Sequence, residues 1–263
     1  MAYIGGSEVS AIKSGSSDVS KVYVGSTLAW ELSAFTGFQT SFEGGDTLFS
    51  GGSVGTTSTA QAYDGSTSWY INNTVNDAGD GSNLQTGLDT TKRYDCYSIW
   101  LYCDQALLSG GAHRVCPVGT AAAHSSNGWL IYLRNNNFAV GGNSSFFEFS
   151  GAPGSLAANT WHHLYFQVDW LTTSPNKSLA NPQFSIWANG TQYVNAVAST
   201  NGAHTNGFAT PTLGLDNWEL TTSLPTTGSN RYFDKLIANV SDTAPVAAGN
   251  TTPAAIEAAL LAF

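Results

Sequence analysis

The sequence predicts an all-β chain folded as an antiparallel sandwich, and three observations predict it. In Trp161-His162-His163-Leu164-Tyr165-Phe166-Gln167-Val168-Asp169, the residues Leu164, Phe166 and Val168 alternate with Tyr165, Gln167 and Asp169, the period of a half-buried strand. About fifteen residues on, Phe184, Ile186 and Ala188 alternate with Ser185, Trp187 and Asn189, and the run stops at Asn189-Gly190, a pair suited to a tight hairpin turn. The composition agrees: 10% charged residues, 28 glycines and 12% aromatics describe short strands joined by Ser, Thr, Asn and Gly loops. With 42% hydrophobic residues in a chain of 263, there is apolar area for one large sandwich and a small appendage, which argues against disorder.

Three segments differ in pattern. Residues 1–32 hold a short repeat: Val9-Ser10-Ala11-Ile12-Lys13-Ser14-Gly15-Ser16 is echoed ten residues later by Val19-Ser20-Lys21-Val22-Tyr23-Val24-Gly25-Ser26. Each half reads as a short strand ending in Gly-Ser, and Ala29-Trp30-Glu31 as a third extended piece. Such a segment buries too little surface to stand alone, so it is expected to dock on a partner or on the main domain through its strand edges. Residues 33–244 carry the sandwich, in which Gly128-Trp129-Leu130-Ile131-Tyr132-Leu133 and Phe138-Ala139-Val140 form a hairpin across Asn135-Asn136-Asn137. In the tail, 245–263, Thr252 is an N-cap and Pro253 a first helical residue; a short helix follows, with Ile256, Leu260 and Phe263 at helical spacing and an apolar stripe for the sandwich.

Several pieces resemble one family in its own order. Trp161-His162-His163-Leu164 and the later run from Phe184 to Trp187-Ala188-Asn189-Gly190 resemble the "W-H-H-hydrophobic … hydrophobic-x-N-G" strand pair of laminin-G-like, concanavalin-A-like lectin and glucanase sandwiches. Ser41-Phe42-Glu43-Gly44-Gly45 is similar to the opening strand of that pattern, Ala62-Tyr63-Asp64-Gly65-Ser66 to its "F-D-G" turn, and Tyr97-Ser98-Ile99-Trp100-Leu101-Tyr102 to its central strand. Pro211-Thr212-Leu213-Gly214 and the run from Tyr232 to Ser241 are similar to its closing strands. The resemblance implies a concanavalin-A-like jelly roll. At the other end, Asp18-Val19-Ser20-Lys21-Val22-Tyr23-Val24-Gly25-Ser26-Thr27 resembles a "V-x-K-V-Y-V-G-S" element found near the N-termini of tailed-phage virion proteins. That resemblance implies a structural protein of a virion, a capsid decoration or a tail or fibre component. Its segment, with Val19, Val22, Tyr23, Val24 and Trp30, would join other virion proteins in a symmetric homo-oligomeric array.

The formal charge of −9, from 18 acids and 9 bases with no basic cluster, argues against a nucleic-acid partner. Cys96, Cys103 and Cys116 have no metal-ligand or paired spacing and read as small hydrophobes of a reducing compartment. No membrane span and no signal peptide is legible, so the expected site of synthesis is a host cytoplasm and the expected location the virion.

An enzyme is not expected. Glycosidases of this general shape carry an E-x-D-x-x-E strand that sets two carboxylates on one face. None of Glu8, Glu31, Glu43, Glu148, Glu219 and Glu257 begins such a spacing, and Glu148 reads as a solitary strand carboxylate. His162 and His163 are adjacent on a strand, so they face opposite sides and cannot jointly hold a metal; the family resemblance makes them packing residues. His113, His124 and His204 are scattered, and no nucleophile elbow, phosphate loop or dinucleotide fingerprint occurs.

Two binding expectations remain. Laminin-G-like domains frequently hold a calcium ion at the sandwich rim, and by that resemblance Asp77 and Asp80, in Asp77-Ala78-Gly79-Asp80-Gly81, are the best oxygen ligands on offer, ahead of Asp46 and Asp64; an ordinary Asp/Gly turn is the favoured reading. Host-surface glycans are the other candidate partner, since flat rings stack on sugars and Asn and Asp hydrogen-bond their hydroxyls. Of Trp69-Tyr70, Trp129, Trp187 and Trp218, the best placed are Trp187, opposite Phe184 and Ile186, and Trp218, beside Asp216 and Asn217; Trp100 and Trp161 are expected in the core between the sheets.

Overall fold

The computed structural model describes residues 3–4, 7–8, 12–14, 17–19, 21–24, 27–31, 37–43, 49–50, 55–72, 82–85, 92–103, 112–119, 129–134, 137–142, 145–149, 156–171, 182–198, 212–215 and 230–262. Side chains are described at 37–43, 56–70, 92–102, 138, 149, 156–171, 182–198 and 230–262. The N-terminal repeat consists of two-stranded antiparallel sheets. They pair β1 (Tyr3–Ile4) with β2 (Ser7–Glu8), β3 (Ile12–Ser14) with β4 (Ser17–Val19), and β5 (Lys21–Val24) with β6 (Thr27–Glu31). The intervening dipeptides are Gly5-Gly6, Gly15-Ser16 and Gly25-Ser26, so the ten-residue period of the sequence is a hairpin period. Val19 thereby belongs to a different hairpin from Val22, Tyr23 and Val24: it pairs back onto Ile12, whereas Val22 pairs with Trp30.

The strands that follow are β7 (Phe38–Thr40), β8 (Phe49–Ser50), β9 (Gly55–Ser58), β10 (Ser68–Asn72), β11 (Ser82–Gln85), β12 (Tyr94–Cys103), β13 (Ala112–Gly119) and β14 (Trp129–Arg134). They continue with β15 (Asn137–Gly142), β16 (Ser145–Glu148), β17 (Thr160–Asp169), β18 (Gln183–Ala188), β19 (Thr191–Ala198), β20 (Thr212–Leu215) and β21 (Asn230–Ser241). One sheet of 8 strands runs β19-β18-β17-β12-β21-β10-β9, with β7 also on β21; a second of 7 runs β16-β15-β14-β13-β20-β11-β8. The expected all-β sandwich with a short C-terminal helix is what the chain forms, and the expected hairpin at Asn135–Asn137 joins β14 to β15.

Alternation decides which residues lie between the sheets. Leu164, Phe166 and Val168 of β17, Phe184 and Ile186 of β18, and Tyr97, Ile99 and Leu101 of β12 join the main core, where the second sheet contributes Phe138. Phe138 meets Phe166 edge-on at 6.2 Å, and Phe149 packs on Phe184 at 5.8 Å. Each such side chain, fully buried, contributes about 1.5–3 kcal/mol.

The outer face of the larger sheet has a cover of its own. Helix α1 (Pro253–Leu261) starts as the sequence predicts, with Thr252 Oγ1 accepting the Ala255 N–H at 3.2 Å and proline in the first turn. Its Ile256 and Leu260, with Val246 from the preceding tail, close over Cys96, Tyr165, Trp187 and Ile237; Phe263 lies outside the described residues. The turn between β18 and β19 is also gripped by the tail. Asn189 and Gly190 have φ of 50° and 84°, the left-handed pair of a type I′ turn. Thr251 donates its N–H to Gly190 O at 2.9 Å, and a Cβ on Gly190 would sit 2.0 Å from Thr251 O.

This turn explains why Trp161-His162-His163 and Asn189-Gly190 occur together. Asn189 exchanges bonds with His163, its Oδ1 accepting the His163 N–H at 2.9 Å and its own N–H reaching His163 O at 2.8 Å. Its Nδ2 donates to His162 Nδ1 at 3.1 Å, while His162 Nε2 bonds Ala157 O at 3.0 Å. The two imidazoles do take opposite faces: His163 Nε2 meets Ser98 Oγ at 2.8 Å on the outer side. Trp100 and Trp161, expected between the sheets, instead share the outer parity with Ser98 and His163, because β12 and β17 turn Leu101 and His162 inward.

Candidate functional site

Four adjacent strands place one aromatic residue each at a single register on the outer face. Trp161 of β17 stands opposite Tyr102 of β12, Tyr102 opposite Tyr232 of β21, and Tyr232 opposite Tyr70 of β10. The ring centroids follow at 5.5, 5.7 and 5.0 Å. Such cross-strand aromatic pairs stabilise a sheet by about 0.2–1 kcal/mol each. The row is only partly covered: Tyr70, Tyr102 and Trp161 are half-buried and Tyr232 buried. Two of its hydroxyls are oriented by amides, Tyr70 donating to Asn230 Oδ1 at 2.6 Å and Tyr102 to Asn159 Oδ1 at 3.2 Å.

A fifth ring comes from a loop. Tyr63 lies flat on Trp100 with centroids 3.6 Å apart, meets Trp161 edge-on at 5.9 Å, and remains 42% exposed. Two carboxylates hold its loop by the backbone. Asp234 Oδ2 accepts the N–H groups of Tyr63 and Asp64 at 2.7 and 3.0 Å. Glu43 Oε1 accepts those of Ser66 and Thr67, both at 2.7 Å, and its Oε2 takes the Ser66 hydroxyl at 2.7 Å. The Ser66 hydroxyl and these amides hold the Glu43 carboxyl down to about 2. Burial pushes the Asp234 carboxyl up despite its three N–H partners. Gly65, with φ 75°, has no room for a Cβ, which would lie 2.4 Å from Glu43 Oε1.

Beneath the stack, β21 slips register against β12 between Ser98 and Trp100, and Lys235 at this irregularity has φ 44°. Lys235 Nζ pairs with Glu257 Oε2 of α1 at 2.8 Å, the bond that raises the ammonium above its ordinary range, and it sits 6.0 Å from the Tyr63 ring. Glu257 Oε1 accepts the Trp100 indole N–H at 2.8 Å, so one carboxylate of the helix ties it to both β12 and β21. A cleft of about 340 Å³ opens beside Asp64 and Lys235, with Gln39, Thr40, Ser41 and Leu261 on its walls.

Ser98 and His163 have the separation of a nucleophile and its base, yet both are wholly buried and His163 Nδ1 meets no partner. Burial brings this imidazole down to about 4, so it is neutral near pH 7 and sealed from any substrate. Among the described residues no three His, Cys, Asp or Glu side chains gather as a metal site. No described helix is long and apolar enough to cross a membrane.

The residues expected from sequence are placed differently. Trp187 is a correction: it points outward as predicted, but Val246 and α1 cover it completely, and its indole donates to Gly249 O at 2.8 Å. The expectation failed because a tail that packs on the outer face leaves no trace in the local pattern of β18. Asp216, Asn217 and Trp218, and the calcium candidates Asp46, Asp77 and Asp80, lie outside the described residues, as do the side chains of Trp129 and Glu148. Asp64 is described and exposed, at the cleft. Of the Trp69-Tyr70 pair, Trp69 is in the core and Tyr70 in the outer row. Tyr63, Trp100, Tyr102 and Tyr232 were missed. Outward parity of an aromatic was legible strand by strand, but their alignment depends on the β17-β12-β21-β10 order, which no local pattern states.

No family model and no curated protein matches the sequence. Among solved structures, the cellulose-induced protein Cip1 matches with a TM-score of 0.53 at 12% identity, over 81% of this chain and 100% of that one. A looser match is an alginate lyase from a Chlorella virus, with TM-score 0.44 and 14% identity over 70% of this chain and 88% of that one. Another is the binding domain of a serotype D/C botulinum neurotoxin, with TM-score 0.46 and 9% identity over 73% of this chain and 43% of that one. The likeness to Cip1 is one of fold alone, that of an all-β sandwich.

Proposed function

We propose that the chain recognises glycans by binding, without turning them over, and that its sandwich is displayed on a tailed-phage virion to contact a host surface. The observation that carries the binding reading is the row Trp161, Tyr102, Tyr232 and Tyr70, extended by Tyr63. A row of rings, half-buried at Tyr70, Tyr102 and Trp161 and buried at Tyr232, offers a flat apolar surface on which the C–H faces of sugars stack, and the Tyr-Asn pairs beside it supply oriented polar groups. Non-catalytic action is supported by the sealing of Ser98 and His163, and by the commitment of Glu43, Asp234 and Glu257 to N–H donors. The virion reading is supported by the resemblance at Asp18–Thr27 and by hairpins that are marginal unless they dock elsewhere.

The test is retention on a broad glycan array by the full chain and by a Tyr102→Ala/Trp161→Ala variant whose folding is checked by its melting transition. The wild type should retain at least one glycan class, with roughly a tenfold loss of affinity in the variant. Retention indifferent to both substitutions, or no retention at all, overturns the reading.

A further inference from the structure

We infer that Tyr63-Asp64 and the adjoining cleft form the selective end of this face and take a neutral hexose unit through two neighbouring ring hydroxyls; the inference rests on the glycan reading above. Four backbone N–H groups of the 63–67 loop are bound by two carboxylates, one of them, Asp234, fully buried. Burying a carboxylate to hold two amides is costly, and its effect is to fix the loop before any ligand arrives. A fixed loop would serve architecture alone if its side chains turned inward. Instead both Tyr63 and Asp64 are exposed, the first at the end of the aromatic row and the second on the cleft wall. The backbone is held and the side chains are presented, which is the arrangement of a preorganised recognition loop.

The chemistry of the cleft selects the ligand class. Its volume of about 340 Å³ lies at the small end of ligand sites, with room for a sugar ring. On the cleft wall Asp64 offers a carboxylate that accepts two O–H donors from adjacent hydroxyls as charge-assisted bonds. The exposed ring of Tyr63, which precedes it in the loop and lies 6.0 Å from the wall residue Lys235 without itself lining the cleft, offers a stacking surface beside it. Gln39, Thr40 and Ser41 add neutral polar groups. Among the described residues of the wall the cation is Lys235, and it is already paired with Glu257. With Asp64 beside it and a formal charge of −9 on the whole chain, a uronic or sulfated sugar meets repulsion without a compensating cation.

The experiment is calorimetric titration of the full chain with neutral gluco-, galacto- and manno-configured tetrasaccharides and with a uronate tetrasaccharide. Wild type, Asp64→Ala, Asp64→Asn and Tyr102→Ala are compared, with melting transitions recorded for each. We expect a neutral probe to bind with little dependence on salt, about tenfold more weakly in Asp64→Ala, with Asp64→Asn in between. Because Asp64 is exposed, the two Asp64 variants should melt as the wild type does; if Asp64→Ala does not, Asp64→Asn carries the comparison. Binding that survives both Asp64 changes but falls in Tyr102→Ala overturns this inference and leaves the glycan reading standing. Preference for the uronate overturns the ligand class. Failure of every probe here and on the array sinks both.

Discussion

His163 is held neutral in the middle of a sheet, and that gives the chain a pH signature. Burial is the main cause of its fall from 6.5 to about 4, so the unfolded chain takes up a proton on acidification before the folded one does. The stabilising contribution is therefore complete above pH 6.5 and is lost as the pH falls toward 4, by roughly 3 kcal/mol over the interval. Urea unfolding at pH 7.5, 6.5, 5.5 and 4.5 should show this slope, and His163→Gln should flatten it; an equal slope in the variant would mean that other groups carry it. Glu43, whose carboxyl is held down from 4.5 to about 2, adds its own loss of stability only from about pH 4.5 downward, so it touches this window at its acid end alone. Gly190 illustrates the same dependence of a single residue on distant structure. Its φ of 84° suits the turn, but the contact that forbids a side chain comes from Thr251, across the closed tail.

At the level of elements, α1 is a structural cover as much as a terminal helix. Ile256 and Leu260 are fully buried against Tyr165, Trp187 and Ile237, and Asn239 Nδ2 donates to Leu260 O at 2.7 Å. Leu260→Ala should cost about 2–5 kcal/mol in unfolding free energy and shift Trp187 emission to longer wavelength as water enters; a smaller cost with unchanged emission would mean that the helix adds little to the sheet. Existence and parity of such elements were legible in the sequence: β17 and β18 alternate between two faces as read, although both faces are buried and the strands are not half-buried as expected, and the Thr252-Pro253 start of α1 is where the capping pattern put it. The candidate site was much less so. Trp187 and Tyr102 are both outward aromatics of strands in one sheet, yet the tail covers the first and leaves the second half-open. Local alternation sets the face on which a ring lies, whereas packing between distant segments sets whether that face is wet.

The whole molecule joins two kinds of β structure with different claims to stability. The sandwich closes around a core to which both sheets contribute, while β1 to β6 form separate pairs, each too small to persist in water unaided. Deleting residues 1–31 should therefore leave the melting transition of the sandwich within a few degrees of the full chain and abolish incorporation into particles. Incorporation at the wild-type level would refute the attachment role, and collapse of the sandwich would mean that the hairpins belong to its core. The packing of α1 has a further consequence during synthesis. The strands that carry Cys96, Tyr165, Trp187 and Ile237 all leave the ribosome before residues 253–260, so a nascent chain has the sheet ready while the apolar patch on its outside is still bare. A chain released early at that stage would carry an apolar patch that α1 covers in the finished protein, so a fragment ending before residue 253 should sediment as aggregate more readily than the full chain, and equal sedimentation would deny α1 that protective role.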